Sequence, residues 1–351
     1  MRRVALGDVV GPVTARVLDD SPATVDEALR TAVALGELAP YVGEGTTPDV
    51  FPTAAGSTTL DVWEALATLG AADVALARAV EPHLDAVTIL HQAERAVRDG
   101  STWGVFAAEG PGVRLEAEST PTGWTLTGTK PWCSLAGTVS HALVTAWVDD
   151  ARRGLFAVEL ADPRTTVEPA WAARGLQEIP SGPVSFAASP ALPIGDPGWY
   201  LHRPGFAWGG ISVAACWLGG ATGVARTLLA AAREPARADD AILLMHLGQV
   251  DARLAEGRAA LVTAAAQIDT GGPGSTGTAA SLLAKRVRTT IADAAEAVLR
   301  SVGHALGPAP LVNDPAHAKR VADLELYLRQ HHGERDAVSE GRAVRDSEAQ
   351  W

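Results

Sequence analysis

A chain of 351 residues, 47% of them hydrophobic, is long enough for two or three domains around a large core and too apolar to be disordered. Its 29 Lys and Arg against 41 Asp and Glu give a net charge of -12, with no run of more than two basic residues, which argues against nucleic acid as a partner and requires any anionic substrate to find a local basic pocket. Cys133 and Cys216, in unrelated contexts, exclude a disulfide framework and a cysteine-rich metal site and fit a reducing cytoplasm.

The N-terminal stretch MRRVALGDVV is cut by Asp8 before an apolar segment develops, so no signal peptide is expected. From about Thr24 to Arg98, apolar residues recur three and four apart in VDEALRTAVALGELA and TLDVWEALATLGAADVALARAV. That period predicts helices, with Ser21 or Thr24 as the cap of the first. From Trp103 to about Ala188 the texture changes to short alternating runs, VRLEAE, GWTLTGTK, HALVTAWV, RGLFAVEL, TTVEPA and GPVSFAA, between Gly and Pro turns. These predict strands without an intervening helix, and so an antiparallel barrel or sandwich.

Beyond a Pro- and Gly-rich connection from Pro190 to Gly205, the helical period returns in ISVAACWLGGATGVARTLLAAAR, ILLMHLGQVDARLAEGRAALVTAAAQI and TAASLLAKRVRTTIADAAEAVLRSVGHAL. GGPGSTG separates the second from the third. Long helices with short connections pack as an antiparallel bundle. The uncharged stretch Pro204–Ala225 is long enough to span a bilayer, but its glycines and helical surroundings favour a buried helix and no membrane span. The expected fold class is therefore multidomain α and β: a helical domain over residues 1–100, a β-barrel domain over 101–200 and a four-helix bundle over 201–351.

Local segments add a resemblance to this order. GWTLTGTKPWCSLAG, with Gly128, Lys130 and Trp132, VFAAEGPG, with Glu109 and Gly110, the spacing from Arg237 to Leu254-Ala255-Glu256, SVGHALG and KRVADLELYLRQHH all resemble segments of the acyl-CoA dehydrogenases. The resemblance runs from about Trp63 to Arg335 and implies the same three-part fold, bound FAD, a small acyl substrate and a homo-oligomer, dimer or tetramer, formed through the bundle. It leaves the electron acceptor open.

The resemblance also assigns residues. Ala107 and Ala108 offer backbone groups to the flavin pyrimidine, Trp132 packs on the ring, and the Ser134 hydroxyl bonds the reactive ring nitrogen. Arg237 contacts the pyrophosphate, and Gly303, in SVGHALG, belongs to a turn at the cofactor. An aromatic face that excludes water and a hydroxyl that donates to a reduced ring suit flavin chemistry. Each residue also has a plain structural explanation: a core tryptophan, a turn serine at a strand end, and a solvated arginine in AREPARADD.

The pattern breaks at the base. Dehydrogenation of an acyl thioester needs a carboxylate beside the substrate. The C-terminal position that supplies it in the family falls on His331, and the alternative position lies in FAWGG, without an acid. An imidazole can serve as base near neutral pH, and related flavin-dependent monooxygenases place a histidine in this neighbourhood. His331 and His332 in RQHHGERD also read as a solvated helix end. GPGVRLE replaces the loop that meets the thioester end of the ligand, so coenzyme A itself is open. Three readings stand: an acyl-CoA dehydrogenase-like oxidoreductase, a flavin-dependent monooxygenase using His331, and a non-catalytic subunit of a complete paralogue. No metal site is expected, because no His–acid spacing completes one.

Overall fold

The structure is a computed structural model and describes residues 1–38, 58–203, 205–271 and 277–347. The helical expectation over residues 39–57, and most of GGPGSTG, lie outside the described residues. Helices α1 (Pro12–Asp20), α2 (Val25–Leu38), α3 (Thr59–Ala72) and α4 (Val74–Gln92) open the chain. Of the two candidate caps, Thr24 starts α2: its hydroxyl takes the Glu27 N–H, and the Glu27 carboxylate takes the N–H groups of Ala23 and Thr24. Ser21 instead ends α1, at φ 41° with its N–H on the Val17 carbonyl. Helix α1 starts without a polar cap: its start signal is Pro12 in the first turn, where no N–H is needed.

Seven strands follow: β1 (Trp103–Phe106), β2 (Leu115–Thr120), β3 (Gly123–Lys130), β4 (His141–Trp147), β5 (Arg153–Glu159), β6 (Thr165–Val167) and β7 (Val184–Ile194). β4, β2, β3, β7 and β5 pair in a closed circuit, with β1 added on β4 and β6 on β7. The expectation of an all-antiparallel barrel is corrected at two pairings. β4 runs parallel to β1, and parallel to β2 at the pair Glu116–Trp147. The β2–β3 hairpin lies between β1 and β4 in sequence, so both can enter from the same end. β7 also runs past Ala188, which adopts φ 57° at an irregularity against Leu126 and Thr127, so the connection to the bundle begins only after Ile194. Gly128 sits at φ 119° where a Cβ would fall 2.2 Å from the Arg114 carbonyl, a position only glycine fills.

The remaining helices are α5 (Trp199–His202), α6 (Phe206–Ala232), α7 (Ala241–Asp269), α8 (Gly277–Leu306), α9 (Ala309–Asn313), α10 (Pro315–Tyr327) and α11 (Glu334–Arg345). α6 is packed by α3, α7, α8 and α10 and is the one described helix long and apolar enough to cross a membrane, with 67% of that stretch buried in the protein. α3 and α6 approach backbone to backbone: a Cβ on Gly219 would fall 2.2 Å from the Ala67 carbonyl, and one on Gly70 2.7 Å from that of Cys216. The glycines of α6 are thus a packing surface.

Burial of α6 within one chain also removes the argument that ISVAACWLGG needs a neighbouring copy to cover it, since Ile211, Ala214, Ala215, Cys216, Trp217 and Leu218 are all buried. One continuous core joins the three regions, from Val17 and Trp63 through Phe106 and Leu126 to Trp217, Ile291 and Leu324. Each large side chain in it contributes on the order of 3 kcal/mol relative to exposure.

Candidate functional site

The turn after β3 is held in an unusual conformation. Trp132 (φ 59°) and Leu135 (φ 57°) are both left-handed without being glycine, and strain of that kind persists only where surrounding contacts impose it. Here the Cys133 N–H bonds the Gly182 carbonyl and the Leu135 N–H that of Pro180. The result is that Trp132 stands 60% exposed, whereas Trp63, Trp208 and Trp217 are fully buried. Ser134 points inward, with its Oγ 2.7 Å from Ser181 Oγ and accepting from Arg78 Nη2 at 2.9 Å. Burial pushes the Cys133 thiol up to about 12, so it remains an unreactive thiol between them.

The neighbouring wall comes from the end of β1. Ala107 and Ala108 continue past Phe106, with Ala108 exposed and the Ala107 carbonyl 3.5 Å from Thr145 Oγ1. Buried Lys130 donates to Glu109 Oε1 at 2.7 Å and to Thr145 Oγ1 at 2.9 Å, which ties β3, β4 and this strand end together. Lys130 and Glu109 therefore brace the wall.

Behind Ser134 lies a buried polar group that sequence reasoning missed. Helix α4 is apolar on nearly every side, and its charged residues Arg78, Glu81 and Asp85 are consequently carried inward. Arg78 bridges two partners: Ser134, and Glu81 Oε2 at 3.6 Å. Its guanidinium also lies 5.7 Å from the Tyr327 ring centre. Pro82, next to Glu81, has no N–H for the Arg78 carbonyl, so the helical bond is missing at this turn. Glu81 is 6% exposed, and burial pushes its carboxyl up to about 7 against the opposing pull of Arg78.

From Tyr327 the contacts continue to Trp217, edge to face at 6.2 Å, and from Trp217 to His331 at 6.1 Å. Arg288 covers the Trp217 ring at 4.7 Å and donates to the Gly210 and Gln330 carbonyls. His331 is not a solvated helix end. Its side chain is 12% exposed with Nδ1 3.4 Å from Asp336 Oδ2, and burial holds its pKa below the ordinary histidine value, so the ring is neutral at pH 7. His332 is exposed.

Ser134 and His331 are thus joined through Arg78, Tyr327 and Trp217. The other two assigned residues stand apart from this chain of contacts. Arg237 lies in a single turn (Pro235–Arg237), paired with Asp240 at 3.3 Å. Gly303 lies within α8 and not in a turn, which corrects that expectation, and lines a surface groove of about 370 Å³ with Arg300, Leu306, Leu311, His317 and Arg329. Asp323 accepts from the Leu176 N–H at 2.5 Å and from Lys319 Nζ at 2.6 Å, locking α10 onto the loop before β7.

The sequence model of the acyl-CoA dehydrogenase C-terminal domain matches residues 196–307. TdsC from Paenibacillus sp. A11-2, solved with FMN and indole, superposes with a TM-score of 0.76 at 18% identity, over 94% of this chain and 92% of that one. Butyryl-CoA dehydrogenase from Megasphaera elsdenii superposes with a TM-score of 0.75 at 15% identity, over 98% of this chain and 100% of that one. The chain is a divergent member of the acyl-CoA dehydrogenase fold. KijD3, solved with FMN and an amino-keto sugar nucleotide, shares the fold with a TM-score of 0.76 at 18% identity, over 98% of this chain and 96% of that one. A search of curated protein sequences finds no match. Within this acyl-CoA dehydrogenase-fold protein, the strained Trp132 turn and the Arg78–His331 chain of contacts lie where the N-terminal helices, the β-domain and the bundle meet.

Proposed function

We propose that this protein is a flavin-dependent oxidoreductase that binds FAD against the Trp132 turn and oxidises an acyl thioester or a related carrier-bound acyl group. The observation that carries the reading is the exposed Trp132 ring on a turn strained into place, next to a Ser134 hydroxyl fixed by a guanidinium. The residues present fit a flavin. Trp132 offers a planar apolar face, the backbone at Ala107 and Ala108 lies at the end of β1, and Ser134 supplies a hydroxyl whose accepting bond from Arg78 leaves its proton for a ring nitrogen or for Ser181. When bound, the flavin supplies acceptance of a hydride. The protein's part is to orient the ring, hold Arg78 close to it and exclude water through the buried Tyr327 and Trp217.

Arg237 and Gly303 are assigned to the far end of the cofactor, contributed across a homo-oligomer. Exposed Ile242, Leu244 and Met245 on α7 and Val312 on α9 give the bundle an apolar outer surface consistent with that assembly. A cytoplasmic location belongs to the same proposal and is supported by two buried, unpaired cysteines. Purified protein should carry, or take up, FAD, and butyryl-CoA added without oxygen should bleach its visible absorbance.

A second reading, a flavin-dependent monooxygenase, is favoured by the neutral His331 at the position where a carboxylate is expected. TdsC and KijD3, solved with FMN and with ligands that are not acyl thioesters, support it as well. Under this reading the flavin of the purified protein is not bleached by butyryl-CoA, and the reduced flavin consumes oxygen faster when the true substrate is present.

A further inference from the structure

The buried carboxylates of this protein fall into two kinds. Asp61 accepts the N–H groups of Val13 and Thr14 at 2.8 and 2.9 Å; Glu64 accepts from Arg3 and from the N–H groups of Leu6 and Gly7; Asp323 accepts from Leu176 and Lys319. Each is saturated by donors and holds two segments together, as a structural carboxylate should. Glu81 is as buried as these, yet among the described residues it accepts no hydrogen bond and has one ion pair, Arg78 at 3.6 Å. A carboxylate that loses its water without gaining donors costs stability and is not explained by the fold.

Two further polar atoms of the same cluster lack an oxygen or nitrogen acceptor. Trp217 Nε1 is buried with no hydrogen-bond partner among the described residues, and the buried Tyr327 hydroxyl has only the Cys216 sulfur, a weak acceptor, beside it. The Cys216 thiol beside Tyr327 is itself committed to the Ser212 carbonyl at 3.4 Å. Burial holds the Tyr327 hydroxyl far above its ordinary pKa, so it remains a donor, and the indole N–H is a donor only. One acid without hydrogen-bond donors, one free indole N–H and one hydroxyl held only by sulfur, with Arg78 between them and the Ser134 turn, form a set that an oxygen-bearing ligand would complete.

We propose that Glu81 is the acid–base residue of this site, exchanging a proton with a substrate that has an acidic C–H beside a carbonyl, whose oxygen is received by Tyr327 and Trp217. The proposal rests on the flavin reading above and supplies the base that the His331 and FAWGG positions lack. The step is a proton transfer. The substrate C–H bond breaks, an O–H bond forms on Glu81, and the electron pair stays on the substrate, delocalised onto the carbonyl oxygen. Arg78 offsets the negative charge, and the reverse transfer restores both groups. No oxidant or reductant enters this step.

The groups that face Glu81 are Arg78 and Asp85 from its own helix, Tyr200 from α5, Cys216 from α6, Arg288 from α8 and Tyr327 from α10. The two guanidinium groups favour its charge, while burial and Asp85 oppose it. The outcome, a carboxyl poised at about 7, suits a group that must both take and return a proton near neutral pH.

The test is exchange of the C2 protons of butyryl-CoA for deuterium, followed by NMR in heavy water with FAD-loaded wild type and Glu81→Gln. Exchange should rise with pH through about 7 in the wild type and fall by ~10²–10⁴-fold in the variant, whose FAD affinity and thermal unfolding stay at wild-type values or better. Equal exchange in the two proteins, or none in the FAD-loaded wild type, overturns the proposal. A wild type that takes up no flavin overturns instead the flavin reading. Glu81 is then judged by the infrared carboxyl band lost in Glu81→Gln, and titration of that band in the ordinary carboxylate range sinks it.

Discussion

Arg78 Nη2 donates a 2.9 Å hydrogen bond to Ser134 Oγ, and through it helix α4 of the N-terminal region fixes the strained turn that follows β3. The same guanidinium is the only ion-pair partner of Glu81 among the described residues. Replacing Arg78 by Gln removes both at once. The variant should lose about 1–3 kcal/mol in urea unfolding at pH 8, where Glu81 is charged and needs a counter-ion, and less at pH 5.5, where Glu81 is neutral. An equal loss at both pH values would show that Glu81 does not feel Arg78.

Glu81→Gln should behave in the opposite sense. With the folded carboxyl at about 7 against an ordinary 4.5, the folded state holds a proton that the unfolded state has released between those values. The Glu81 contribution to wild-type stability therefore falls as pH rises through this window, by about 3 kcal/mol in full. The variant has no such proton to lose, so its advantage over the wild type should grow from pH 4.5 to pH 7 and then level. A pH-independent difference would contradict the assignment.

His83 gives the reverse slope over nearly the same pH range and largely offsets that of Glu81. It is buried, its Nδ1 accepts the Trp103 N–H at 3.2 Å, and burial lowers its pKa from 6.5 to about 4. Here the unfolded state binds the proton first, so stability is lost as pH falls from 6.5 towards 4, again by about 3 kcal/mol. His83→Gln should therefore uncover the Glu81 slope: its stability falls as pH rises from 4.5 to 7, where the wild type stays nearly flat.

Gly219→Ala tests the helix crossing beneath the site. A methyl group there would lie 2.2 Å from the Ala67 carbonyl, so α3 and α6 must separate. Overpacking of this kind costs about 1–3 kcal/mol, more than the ~1 kcal/mol that alanine gains over glycine in a helix. Chemical denaturation should show a net loss. A more stable variant would mean that the helices are not in backbone contact.

The three-region order was legible because period three-to-four and period two alternate along the chain in long blocks. Trp132 and Ser134 were legible through the local pattern around Gly128 and Lys130. Arg78 and Glu81 were not, because charged residues on a helix ordinarily mark its solvated face. The available signal is that the charges at 78, 81 and 85 form one narrow stripe, at i, i+3 and i+7, on a helix that is otherwise almost wholly apolar. The β1–β4 parallel pairing was invisible for a different reason: alternation gives a strand's faces but not its neighbours' direction. His331 was placed by counting alone, and its burial against Trp217 follows from the turn at Leu328–Gln330, which the polar stretch RQHHGERD conceals.

The central claim is that the Trp132 turn holds a flavin, and titration of the purified protein with FAD, followed by both visible absorbance and tryptophan fluorescence, tests it most directly. Saturable uptake with an oxidised-flavin band at about 450 nm is expected, with fluorescence quenching that is reduced in Trp132→Ala and an affinity of that variant weakened about five- to tenfold, as loss of an aromatic contact of about 1–1.5 kcal/mol requires. A protein that stays colourless at high FAD, or that binds it with equal affinity when Trp132 is alanine, would contradict the claim and point to a fold kept without its cofactor.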